Sequence, residues 1–210
     1  MRVASFTVAF VLAIASAADA QRPGPIPRFA ADVRGFYSSL GQDPITAENL
    51  GVEAFRLPNR GPGGVIDAHM YMLRSRTFAF GVGVELMAQR GSAQPKDETG
   101  AAAGPSIQQR VRGVAPQISL NFGTYDGWSY VTAGMGPMTF ATYFDPAPSQ
   151  APPSKMTINL GGGARWFFSN HLAFTVDARF YQTKPEVQTE FYPGRQRTRL
   201  LVLSAGIGIR

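Results

Sequence analysis

The most regular feature of the chain is a two-residue alternation of apolar and polar positions. Leu172, Phe174, Val176, Ala178 and Phe180 alternate with Ala173, Thr175, Asp177, Arg179 and Tyr181. The same rhythm sets Met156, Ile158 and Leu160 against Thr157, Asn159 and Gly161, and Leu201, Leu203, Ala205, Ile207 and Ile209 against Ser204, Gly206 and Gly208. It recurs in Phe78, Phe80, Val82, Val84 and Leu86 against Ala79, Gly81, Gly83 and Glu85. Weaker versions lie at Ala31–Tyr37, at Ile66–Met72 and at Ile118–Phe122. A period of two is that of a strand with one apolar and one polar face. An eighth strand is expected between about Trp128 and Tyr143, where Gly134, Gly136 and Pro137 blur the two faces. Pro137 suits a bulge or a stretch beyond the paired region.

The connections between these strands alternate in length. Tight ones fall at about Arg74 to Arg76, Thr124 to Gly127 and Ser169-Asn170, and long ones at about 41–61, 92–107, 145–154 and 184–196. In an up-and-down meander with an even strand number, this places both termini and every short turn at one end. Outer-membrane barrels have that layout, with short periplasmic turns and longer outer loops.

Periodicity does not say which way the apolar face points; the composition of the polar face does. It carries Asp32, Arg34, Asp67, His69, Glu85, Arg165, Asp177 and Arg179 among many small residues, with almost no lysine. A water-facing surface is usually richer in Lys and Glu. The interior of an eight-stranded barrel is just wide enough for side chains to fill, and charges of both signs can neutralise one another there. The expected fold is therefore all-β: an eight-stranded antiparallel up-and-down transmembrane barrel with a polar, plugged interior. Strands in hydrocarbon must close on themselves, because an open edge leaves unpaired backbone groups at several kcal/mol each, roughly. Tyr125, Trp128 and Tyr130 near one tight turn, and Trp166 and Phe167 near another, are expected to form membrane-interface aromatics.

Composition supports this picture. Charged residues are only 16% of the chain, well below the roughly one quarter of soluble proteins. The net charge of +6 is scattered, and the Arg195, Arg197 and Arg199 run reads as a solvated loop, so no nucleic-acid partner is expected. With no cysteine, thiol chemistry and disulfides are excluded. Met1-Arg2, the apolar run Val8 to Ala15 and Ala18-Asp19-Ala20 form a secretory signal peptide with cleavage between Ala20 and Gln21. The expected organisation is a signal peptide over residues 1–20, an extended Pro-rich lead-in over 21–28 and a barrel over 29–210.

Several stretches carry a family likeness: Ala115-Pro116-Gln117-Ile118-Ser119-Leu120-Asn121-Phe122-Gly123, Asp126-Gly127-Trp128-Ser129-Tyr130, Asn159-Leu160-Gly161-Gly162-Gly163-Ala164-Arg165-Trp166-Phe167, and Asp177-Ala178-Arg179-Phe180-Tyr181. In these the chain resembles the eight-stranded outer-membrane barrels of the OmpA, OmpX and opacity type. The resemblance spans the expected mature chain and implies fold and location, not an activity. It implies an outer-membrane monomer with both termini in the periplasm, outer-membrane lipid around it and the barrel-assembly machinery as a folding partner. A tether to the cell wall of the OmpA kind is not expected. Members of this group usually end in an aromatic residue that the assembly machinery recognises, and the outward register here would put it at position 211, one past Arg210.

Little else points to chemistry. Gly161-Gly162-Gly163 is flanked by strand on both sides, which suits close packing of lumen side chains and not a phosphate loop. His69 and His171 lie in no metal-binding spacing, and no cofactor is expected. Ser75 and Ser169 sit at the tight turns, away from the outer rim where a barrel enzyme would place its nucleophile. The reading is a structural or surface-interaction protein, not an enzyme, whose long loops have room for an extracellular ligand. The alternatives are a narrow channel, a soluble lipocalin-like binder and a lipid-modifying enzyme.

Overall fold

A computed structural model describes residues 24–96, 99–146, 154–184 and 198–210. The signal-peptide cleavage point at Ala20 and Gln21, and Arg195 and Arg197, lie outside the described residues. Eight strands follow one another: β1 (Phe29–Ser39), β2 (Arg60–Arg74), β3 (Phe78–Ala93), β4 (Ile107–Thr124), β5 (Gly127–Phe144), β6 (Ser154–Phe167), β7 (Leu172–Thr183) and β8 (Arg199–Ile209). Each pairs antiparallel with the next, and β1 pairs antiparallel with β8 to close the barrel. Short and long connections alternate as the sequence predicts.

The apolar face of every strand points outward. Val33, Ile66, Val84, Ile118, Leu160, Phe174 and Leu203 are among the exposed large hydrophobics, while Asp32, Asp67, Glu85, Arg165 and Arg179 are buried. This is a soluble protein turned inside out, and its exterior requires a hydrocarbon solvent. Only a closed barrel lets strands sit in that solvent with their backbone groups paired.

In β5 the faces now resolve. Even positions point inward, from Trp128 and Tyr130 to Met138 and Phe140, and Pro137 points outward. Pro137 marks neither a bulge nor a strand end: it lies within β5 opposite Met156 of β6. Pairing of β4 with β5 stops after Gly113↔Met138 and resumes in the same register at Gln117↔Gly134. The gap holds Pro116 and Pro137, neither of which has an N–H to give to the ladder. The register shift is elsewhere, between Tyr71 and Leu73 on β2.

The lumen is filled in layers. At the end holding the tight turns, Ile26, Ala30, Tyr71, Ala79, Trp128 and Tyr130 form an apolar and aromatic cluster. The lead-in Gly24–Arg28 supplies Ile26 by crossing the mouth: Arg28 accepts from Tyr71 beside its own strand, and Gly24 accepts from Tyr125 in the turn between β4 and β5, on the far wall. Charged side chains occupy the middle. Toward the long-loop end, Phe36, Val65, Met87, Val111, Met138, Phe140 and Val202 form a second apolar layer. The polar, plugged interior is thus a polar layer between two apolar ones.

The connection from β1 to β2 closes that far end. It carries a short helix α1 (Pro44–Asn49) and a 3₁₀ turn (Ala54–Arg56). Asp43 caps α1 by accepting from the Thr46 N–H at 3.0 Å, and Pro44 supplies the fixed φ that suits a first helical position. Ala47, Leu57 and Ile107 pack together above the lumen. Gln109 donates to Leu40 O at 3.1 Å, tying the start of this lid to the wall, and just below it Gln89 of β3 donates to Ser38 O of β1 at 3.0 Å.

Candidate functional site: a charge network in a closed lumen

Inward positions at one height on three successive strands are Asp32, Asp67 and Glu85; the first two are directly paired across β1 and β2, the last two across β2 and β3. Like charges directly opposite one another destabilise a sheet. Three arginines resolve this. Arg34 rises two residues from Asp32 on β1, and Arg165 and Arg179 reach in from β6 and β7.

Each guanidinium bridges carboxylates. Arg165 donates Nε to Asp32 Oδ1 at 3.1 Å and Nη2 to Asp32 Oδ2, and its Nη2 lies 3.4 Å from Asp67 Oδ1. Arg34 Nη2 meets Asp67 Oδ2 at 2.6 Å, and its Nη1 donates to the Tyr130 hydroxyl at 2.9 Å. Arg179 Nη1 meets Glu85 Oε2 at 2.6 Å, while its Nη2 donates to Asp177 Oδ2 at 3.0 Å. Tyr130 donates its own hydroxyl hydrogen to Asp177 at 3.0 Å, and Tyr181 donates to Glu85 at 2.8 Å. Thr175 completes the shell of Asp32 at 3.0 Å. His69 Nδ1 lies 3.4 Å from Asp67 Oδ1, and the imidazole stacks parallel to Tyr71.

All eight charged or titratable lumen residues expected from the sequence are therefore buried inside the barrel and within one network. The tyrosines and Thr175, which finish the network, were not predicted as part of it; their signal was the same two-residue phase that picked out the charges. Glycine supplies the room. A Cβ on Gly163 would lie 2.6 Å from the Tyr130 hydroxyl and 2.2 Å from Val176 O, and one on Gly161 would lie 3.1 Å from Arg179 Cγ.

The interface aromatics need correction. Trp128 and Tyr130 are 3% and 2% exposed and face the lumen, where the Arg165 guanidinium carbon lies 4.3 Å from the Tyr130 ring centroid. Their proximity to a turn suggested the membrane interface, but the inward phase of β5 turns them to the arginines. Phe167 stacks on Trp128 with centroids 5.1 Å apart. Tyr125 and Trp166 are exposed on the exterior.

The serines at the tight turns have structural partners. Ser169 Oγ accepts from Leu172 N at 3.0 Å, and Ser75 Oγ donates to Phe78 O at 3.3 Å. Among the described residues no cluster of His, Cys, Asp and Glu is arranged to hold a metal. The network can neutralise charge and fix strand register. The space beside it, between Glu85, Asn159 and Tyr181, measures about 10 Å³, at the lower bound for one water molecule.

No protein-family model matches the chain, and no curated protein does. Among solved structures, neisserial surface protein A (NspA) superposes with a TM-score of 0.57 at 12% identity, covering 89% of this chain and 98% of that one. The fold is that of the eight-stranded outer-membrane barrels. The attachment invasion locus protein Ail of Yersinia pestis superposes at 0.45 and 11% identity, over 87% of this chain and 99% of its own. The outer membrane protease OmpT of Escherichia coli reaches 0.42 and 9%, over 72% of this chain and 64% of its own. At those two scores the likeness says nothing about activity.

Proposed function

We propose that the chain is an integral outer-membrane barrel with a structural or surface-interaction role and no catalysis, its termini in the periplasm and its long loops outside. One observation carries this reading: the exterior is apolar while the lumen, among the described residues, is packed toward both ends and held between them by a network of four carboxylates and three arginines. With the lumen packed among the described residues, the loops are the part that meets the surroundings. The lead-in across one mouth and the α1 lid across the other count against a channel.

The absence of cysteine makes the orientation testable. Single cysteines at Ala102, exposed in the long connection from β3 to β4, and at Asn170, exposed in the tight β6 to β7 turn, are treated with a membrane-impermeant maleimide on intact cells. The reading predicts labelling of Ala102→Cys alone until the envelope is opened. Labelling of Asn170→Cys in intact cells would reverse the orientation.

A further inference from the structure

Every carboxylate within the eight strands, namely Asp32, Asp67, Glu85 and Asp177, points into the lumen. The outer face of the strands therefore carries no carboxylate, and three of its exposed arginines stand together. Arg90 on β3 and Arg110 on β4 are directly paired across the ladder, and Arg112 lies two residues from Arg110 on the same face, opposite Ala88. All three are exposed and have no carboxylate partner among the described residues. Directly opposed side chains have Cβ atoms about 4.5–5.5 Å apart, and like charges at that spacing repel. A pair of arginines in register is stable when an anion lies between them, and guanidinium groups grip phosphate through parallel N–H donors.

Their height fits a lipid headgroup. Outward positions of β3 from Phe78 to Ala88 are uncharged, and Arg90 is the next one. Ten residues of strand at ~3.3 Å each, tilted about 40°, rise ~25 Å, the height of the apolar band of a membrane barrel. Arg112, opposite Ala88, marks the same level on β4. The buried Tyr143 ring, with its centroid 5.5 Å from the Arg110 guanidinium carbon, backs that arginine from the neighbouring strand. Between the arginines and β2 lies an open groove of about 500 Å³ floored by Pro62, Gly63 and Ala88. Its small side chains let a headgroup come close to the wall.

We propose that Arg90, Arg110 and Arg112 bind the phosphate of a phosphorylated glycolipid in the leaflet at the long-loop end, with its acyl chains running down the wall over Leu86 and Val114. Naming that leaflet the outer one rests on the orientation proposed above. Binding in detergent does not, so the two ideas fail separately: cysteine labelling tests orientation, and the following experiment tests the site.

The barrel, folded in a zwitterionic detergent, is titrated with bisphosphorylated lipid A while its thermal unfolding midpoint is followed. The comparison variants are Arg90→Gln/Arg110→Gln and, as a control, Arg199→Gln, an exposed arginine at the start of β8 on another part of the same rim. Unboiled electrophoretic mobility confirms that each variant is folded. Expected is a lipid-dependent rise in midpoint for the wild type and Arg199→Gln, and an apparent affinity at least tenfold weaker for the double variant. Inorganic phosphate at the same concentration is expected to leave the midpoint unchanged. Equal affinity of the double variant and the wild type, an equal loss in Arg199→Gln, or the same rise with inorganic phosphate would each overturn the proposal.

Discussion

Replacing Arg179 by Met isolates the energetic role of the lumen network. The guanidinium is 1% exposed and holds two carboxylates at once, Glu85 at 2.6 Å and Asp177 at 3.0 Å, besides donating to Gln117 at 2.8 Å. At an effective dielectric of about 20, a unit charge pair near 4 Å is worth roughly 4 kcal/mol. Losing two such interactions is partly offset, because Arg34 stays 3.9 Å from both Glu85 and Asp177 and can lean toward them. The methionine also buries apolar volume where the arginine stem lay. The net expectation is a destabilisation of about 3–5 kcal/mol, the range seen when one partner of a buried pair is removed. Urea unfolding in detergent micelles, followed by tryptophan fluorescence, measures it. Adding Glu85→Gln to the variant should return part of the loss, since it removes one uncompensated charge. A midpoint for Arg179→Met equivalent to less than about 0.5 kcal/mol of change would refute the idea that buried charge pairing holds the register, as such small values are those of surface substitutions.

Three other outcomes follow from the packing. Gly163→Ala would put a methyl group 2.2 Å from Val176 O, and a destabilisation of about 1–3 kcal/mol is expected from the same unfolding assay, as for an overpacked core. Val84→Arg, on the lipid-facing side near the middle of the β3 band, should cost about 2–4 kcal/mol in a bilayer. Unfolding in phospholipid vesicles checks it, and an unchanged midpoint would argue that this face does not meet hydrocarbon. Tyr130→Phe removes a hydroxyl that accepts from Arg34 at 2.9 Å and donates to Asp177 at 3.0 Å; a loss of about 1.5–3 kcal/mol is expected, as for hydrogen bonds to charged groups, again from unfolding midpoints.

Much of the fold is legible because a barrel wall in lipid must alternate strictly. Seven strands showed that alternation, and the four buried carboxylates and three arginines all sit on its polar phase. Legibility failed where the two faces had similar chemistry. At the long-loop end of the lumen, Val65, Met87, Val111 and Val202 are as apolar as the residues facing outward, so periodicity weakens there. In β5, Gly134 and Gly136 offer no side chain to assign, and Trp128 and Tyr130 suit either an interface or a cation-rich lumen. Counting phase from the inward Thr132 would have turned both inward. The α1 helix was hidden in a long loop, although Asp43-Pro44 followed by Thr46 is a helix-start signal. The arginine cluster on the outer wall needed register: Arg90 and Arg110 are twenty residues apart in sequence and become neighbours only once β3 and β4 are paired.

The central claim, a closed barrel whose apolar face meets a membrane, is tested most directly by cell fractionation followed by electrophoresis of the extracted protein with and without boiling. The account predicts recovery in the outer-membrane fraction and faster migration of the unboiled sample, because an intact barrel resists detergent and stays compact. Recovery in the soluble periplasm with one mobility, boiled or not, would contradict it.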